Sequence, residues 1–208
     1  MRRVLCYGDS NTWGCSPWDG SRFDENTRWP MVMASILGAD YYIIEDGLNG
    51  RTVLNLSPVD REANGIAHIN AVIENYIPLD IVIICLGTND VFIGDEVPAA
   101  IITEGMSEII DVIRNCHVME NLKLPEIIIT SPPSYNTEVE GSDYFQLQIN
   151  KLKSLPEFYL NLAIQKNCLF FNAGEHVKGS HIDGSHLEAE SHIILGRKMA
   201  EFIQSRIR

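Results

Sequence analysis

No stretch of this sequence approaches the roughly 20 consecutive apolar residues that a helix needs to cross a bilayer, so a membrane-spanning chain is not expected. Basic residues are scarce, 16 Lys and Arg against 28 Asp and Glu, for a net charge of −12. A negative surface repels phosphate backbones and anionic lipid, which argues against nucleic acid and membranes as partners. Cysteine is sparse and odd in number. Cys6, Cys15, Cys85, Cys116 and Cys168 are widely separated, which suits neither a disulfide framework nor a zinc site and predicts reduced, mostly buried thiols. Repeats, low-complexity tracts and linkers are missing, so the 208 residues are read as one domain, 1–208. Arg2 and Arg3 precede an apolar run, but that run ends within a few residues at Gly8-Asp9-Ser10 with no small-residue cleavage site. The segment is therefore read as a first strand, and the protein as cytoplasmic.

What is present is alternation. Val4–Tyr7, Tyr41–Glu45, Ile81–Leu86, Ile127–Thr130 and Leu169–Phe171 are short runs of Ile, Val and aromatics flanked by Pro, Gly, Asn or Asp. Continuous apolar runs of this kind suit parallel strands covered on both faces. Helical stripes lie between them. Trp29 to Leu37 has Pro30 near its start and Gly38 just past its end; a second stripe carries Ile66, Ile69, Ile73, Tyr76 and Ile77. A third begins near Pro98 with Ile102, Met106, Ile109, Ile110 and Ile113. A fourth is predicted to open on the capping box Ser154-Leu155-Pro156-Glu157 and run to about Asn167, and the last carries Leu195, Met199, Phe202, Ile203 and Ile207. Five strands alternating with five helices predict a three-layer α/β/α sandwich around a five-stranded, mostly parallel sheet. The longest irregular stretches are 10–28, 55–64, 131–146 and 174–187.

Chemistry in such a sheet gathers beyond the carboxyl ends of the strands. Gly8-Asp9-Ser10-Asn11 follows the first strand, Asp46-Gly47-Leu48-Asn49-Gly50-Arg51-Thr52 the second and Gly87-Thr88-Asn89-Asp90 the third, while Asp183-Gly184-Ser185-His186 lies in the last loop. Ester cleavage needs a hydroxyl, a base to take its proton, a carboxylate to hold the base, and donors for the oxyanion. Ser10, His186, Asp183, backbone amides near Ser10 and Gly50, and the Asn89 side chain supply that set.

These four blocks resemble those of the SGNH (GDSL-like) hydrolases, in that family's order from Gly8 to His186. Leu5-Cys6-Tyr7-Gly8-Asp9-Ser10, Glu45 to Thr52, Leu86 to Asp90 and Ser131-Pro132-Pro133 are further similar to bacterial arylesterase/acyltransferase members, which hydrolyse small esters and can pass acyl groups to alcohols. The resemblance implies a flavodoxin-like SGNH fold, Ser10 as nucleophile, His186 as base and Asp183 as the orienting acid. It implies an oxyanion hole built from the Ser10 and Gly50 amides and the Asn89 side chain. It also implies no metal or organic cofactor, a small ester such as an acetyl ester of an aryl alcohol or a sugar as substrate, and assembly into a homo-oligomer. Asn11 departs from the pattern, since many members carry an apolar residue there.

The same residues also admit other readings. Ser10 by itself reads as a turn cap, and Asn89-Asp90 as an Asx turn, which suits Asp90 better. Gly47 reads as serving its turn. The glycines at 47 and 50 lack the G-x-G-x-x-G spacing of a nucleotide site. His181, Asp183 and His186, with Asp9 and Asn89-Asp90, are the nearest approach to a metal-dependent phosphoesterase, yet they offer fewer ligands than such sites assemble. A non-catalytic binding module on the same fold is the other alternative. Arg51 is read as a structural ion pair, His181 as a loop bystander or pocket liner, and His68 and His192 as surface or packing residues. Tyr135, Tyr144 and Phe145 are read as a pocket wall or an oligomer contact.

Overall fold

Side chains alternate across a strand, so a strand apolar at every position must be covered on both faces. Ile81–Cys85 is such a strand, buried at all five positions. In the computed structural model, which describes residues 1–56, 62–93 and 96–207, it is the centre of a five-stranded sheet. The strands are β1 (Arg2–Gly8), β2 (Tyr41–Gly47), β3 (Ile81–Cys85), β4 (Glu126–Ser131) and β5 (Leu169–Asn172), and they lie in the order β2-β1-β3-β4-β5 with every pairing parallel. Val4, Cys6, Ile81, Ile83 and Ile128 face one side, where α2 (Trp29–Leu37) and α7 (Ala189–Arg206) cover them with Trp29, Met33, Leu195, Met199 and Ile203. Leu5, Tyr7, Val82, Ile84, Ile127 and Ile129 face the other, under α3 (Gly65–Tyr76), α5 (Ala99–Met119) and α6 (Gln146–Lys166). These are the three layers that the alternating apolar runs predict.

The chain moves from β1 outward to β2, then crosses back to place β3 on the other side of β1. The strand order therefore reverses between β1 and β3, and an open parallel sheet binds its ligands beyond the carboxyl ends of the strands at such a point. Two short helices follow there, α1 (Ser10–Trp13) and α4 (Thr88–Ile93). Neither was predicted, because four and six residues are too few to display a helical period.

The fourth predicted helix begins too late. The helix α6 starts at Gln146, eight residues before the supposed capping box, and runs through Pro156. Ser154 is not a cap; its hydroxyl donates to the Lys151 carbonyl one turn back, at 2.7 Å. Ile149, Leu152, Leu155, Tyr159 and Leu162 make the buried stripe, and the polar residues between 146 and 154 concealed its first two turns. The irregular stretch read at 55–64 includes residues 57–61, which lie outside the described residues.

Candidate active site

Register aligns the ends of the first three strands: Gly8 pairs with Gly47 on one side and with Cys85 on the other. The segments that follow are therefore neighbours, though separated by up to about eighty positions in sequence. Asp9 caps α1 by accepting the Asn11 amide at 2.9 Å, which puts Ser10 at the head of that helix, 8% exposed. Gly47 lets α1 sit directly on the end of β2. A Cβ there would come within 2.1 Å of the Trp13 nitrogen, so Gly47 serves close packing and not the turn alone.

The 180–188 loop carries the candidate residues Asp183 and His186. His186 Nε2 lies 3.0 Å from Ser10 Oγ, and His186 Nδ1 lies 2.6 Å from Asp183 Oδ2. The other carboxylate oxygen of Asp183 accepts three bonds, from the Ser180 hydroxyl and from the Ser185 and His186 amides, each at 2.9 Å. The Ser180 amide in turn donates to the His186 carbonyl at 2.7 Å. With its proton on Nδ1 facing the carboxylate, the ring presents a lone pair at Nε2 to the serine hydroxyl.

The electrostatics follow from these contacts. Burial works against the Asp183 carboxylate, but the His186 ring and the Ser185 and His186 amides outweigh it and bring its pKa down to about 2. The bond to Asp183 raises His186 above the ordinary imidazole value, against its own partial burial. Asp9 is pushed up to about 6 by burial, despite the Asn11 amide, the nearby His186 and the Thr88 hydroxyl.

The remaining sequence-predicted residues meet on the neighbouring turn. Gly50 holds φ at +77°, a backbone that favours glycine, with open space where a Cβ would point. Neither its amide nor that of Ser10 has a hydrogen-bond acceptor among the described residues. Asn89, in the first turn of α4, donates through Nδ2 to the Arg51 carbonyl at 2.9 Å. That bond uses one of two N–H groups and leaves the other for a ligand. Asp90 is not in an Asx turn. It is fully buried, and its two oxygens accept the Val53 and Leu54 amides at 2.7 and 2.9 Å, lashing the Gly50 segment to α4. Burial raises its pKa to about 6, with both amides pulling the other way. Arg51 is also internal: it pairs with Asp46 at 2.8 Å, donates to the Gly8 carbonyl and sits 4.2 Å over the Tyr7 ring.

His192 is a packing residue, fully buried in α7 with its ring edge-on to Phe23, and burial lowers its pKa to about 3. His181 is exposed and bonds Glu188 while touching Trp18. Tyr135 packs over Gly184, within the histidine loop, and Phe92 of α4 touches both Tyr135 and Phe145. The tip of that segment, Tyr144, is 88% exposed. Asp9 and Asp90, offered by the sequence as extra metal ligands, are occupied as cap and lashing, and no group of three His, Cys, Asp or Glu suited to a metal occurs among the described residues. No sequence pattern marks the bonds from Asn11 to Ser185 and Leu187, because those partners lie 174 and 176 positions away.

Residues 6–192 match the GDSL-like lipase/acylhydrolase family. Est24, a carbohydrate acetylesterase from Sinorhizobium meliloti, is 33% identical, with 99% of each chain covered and a TM-score of 0.89. The native aryl esterase of M. smegmatis is 32% identical, again over 99% of both chains, with a TM-score of 0.89. A lipolytic protein of the G-D-S-L family from Veillonella parvula, 14% identical with a TM-score of 0.71, shares the fold. No curated protein matches the chain in sequence.

Proposed function

This chain belongs to the GDSL-like lipase/acylhydrolase family and is a carboxylic ester hydrolase, and from that premise we propose that it is a serine esterase working through an acyl-enzyme on Ser10. One observation carries the reading: an unbroken hydrogen-bonded chain from Asp183 through His186 to the Ser10 hydroxyl, beyond the carboxyl end of β1. Ser10 Oγ attacks the ester carbonyl as its proton passes to His186 Nε2. The oxyanion that forms is met by the Ser10 and Gly50 amides and by the free N–H of Asn89, donors held in place before the reaction begins. Collapse breaks the ester bond, and the leaving alcohol takes the proton from His186. Water, or a second alcohol, then gives its own proton to His186 and attacks the acyl carbon; as that second intermediate collapses, His186 returns the proton to Ser10 Oγ, which leaves as the free hydroxyl. Asp183 holds the ring in the tautomer this cycle needs and offsets its charge while it is protonated.

The preferred substrates are small esters, such as acetyl esters of aryl alcohols or sugars. The activities of the two similar enzymes, one an aryl esterase and one a carbohydrate acetylesterase, support this choice. The cytoplasm is the proposed compartment, a reading supported by five unpaired cysteines of which four are buried. No helix among the described residues is long and apolar enough to cross a membrane.

Turnover of p-nitrophenyl acetate tests the proposal. The wild type should act equally well with and without EDTA, and Ser10→Ala should lose at least about a thousandfold in kcat. A Ser10→Ala variant within tenfold of wild type, or activity abolished by chelation, would overturn it.

A further inference from the structure

Asn11 lies beside the nucleophile, yet its side chain reaches the other end of the sequence. Its Nδ2 donates to the Ser185 carbonyl at 3.2 Å, and its Oδ1 accepts the Leu187 amide at 2.9 Å. These are the residues immediately before and after His186. The assignment of oxygen and nitrogen is fixed by chemistry, because an amide N–H can only meet the oxygen and a carbonyl only the nitrogen. Asn11 is 1% exposed and its own amide is held by Asp9, so it begins from a rigid base. Among the described residues, the hydrogen bonds crossing from the Ser10 turn to the histidine loop are these two and the Ser10–His186 contact itself.

We propose that Asn11 is a positioning residue, a two-handed clamp that sets the distance between Ser10 and His186 by holding the backbone on both sides of the base. The inference rests on the catalytic reading given above. Asp183 and Ser180 organise the loop internally, through the His186 amide and carbonyl, but they belong to the same loop and move with it. Asn11 instead belongs to the nucleophile's own helix. Any drift of the loop relative to Ser10 must stretch one of its two bonds. Because the amide uses a donor and an acceptor at once, neither leucine nor aspartate can replace it. Leucine supplies neither, and leaves the buried Leu187 amide without a partner. Aspartate keeps the acceptor but faces the Ser185 carbonyl with an oxygen. Since a misplacement of about 1 Å can cost roughly a hundredfold in rate, losing the clamp should appear in kcat.

Active-site titration separates positioning from mere folding. Wild type, Asn11→Leu and Asn11→Asp are labelled to completion with a fluorophosphonate, and p-nitrophenyl acetate kinetics are expressed per labelled chain. The expected result is stoichiometric labelling at a slower rate, kcat per labelled chain reduced about 10- to 100-fold, and KM within about twofold. Asn11→Asp should retain more activity than Asn11→Leu because it keeps one of the two bonds. Should Asn11→Leu not fold, Asn11→Asp supplies the same comparison. Normal kcat per labelled chain, whatever the effect on stability or yield, would overturn the clamp. Failure of the wild type to label at Ser10 would instead defeat the underlying catalytic reading.

Discussion

Replacing Asp183 by Asn changes one atom of the site and, by the contacts observed, should change one function. Asp183 Oδ1 accepts three donors, from Ser180, Ser185 and His186, so the carbonyl oxygen of the asparagine must take that place. The new NH2 then occupies the position of Oδ2 and points at His186 Nδ1, 2.6 Å away in the wild type. It can only donate, which forces the imidazole proton onto Nε2 and turns a hydrogen toward Ser10 where a lone pair is needed. With three of four bonds kept, unfolding free energy should change by no more than about 1 kcal/mol. The rate should fall about 10⁴-fold, as expected for a triad locked in the wrong tautomer, or about 5 kcal/mol of transition-state stabilisation. The pH profile supplies a second reading. Asp183 raises the pKa of His186 in the wild type, so the acidic limb of kcat/KM should move to lower pH in the variant. Urea unfolding together with kcat/KM from pH 5 to 9 measures both. A loss of less than about tenfold with an unmoved acidic limb would refute the reasoning.

The two turn glycines should behave differently despite lying three residues apart. Gly47→Ala drives a methyl into the backbone of α1 at Trp13 and Thr12, so it should cost at least about 1–3 kcal/mol and disable turnover by displacing Ser10. Gly50→Ala meets open space and pays mainly for its φ of +77°, about 1–2 kcal/mol, with the fold retained. Equal unfolding midpoints for the two variants in urea would contradict this. His192 offers a test in pH. Its folded pKa of about 3 lies below the unfolded value near 6.5, so the unfolded chain binds the extra proton in that window. Its contribution is intact above pH 6.5 and drains away as pH falls. Relative to His192→Phe, the wild type should therefore lose about 1.4 kcal/mol per pH unit between pH 6 and 4; parallel stability curves would count against a buried neutral imidazole.

The layers of the fold were legible because strands such as Ile81–Cys85 are apolar at every position and the helices are striped, two patterns that short-range sequence displays directly. The start of α6 was not, since Ser154 and Glu157 imitate a cap within a helix already under way. The residues of the candidate site could be collected from the strand exits, because a parallel sheet delivers all those exits to one edge. The bonds that orient them could not be collected that way. Asn11 clasping Ser185 and Leu187, Asp90 lashing Val53 and Leu54, and Asn89 resting on Arg51 join segments between 36 and 176 positions apart. No local pattern marks such bonds, since each depends on how separate loops settle against one another.

Peptide mapping after inactivation by a p-nitrophenyl organophosphate tests the central claim most directly. The account predicts one adduct per chain, on Ser10, gained in step with the loss of esterase activity and blocked by excess ester substrate. Inactivation with the adduct on another residue, or full activity in a chain whose Ser10 is modified, would contradict it.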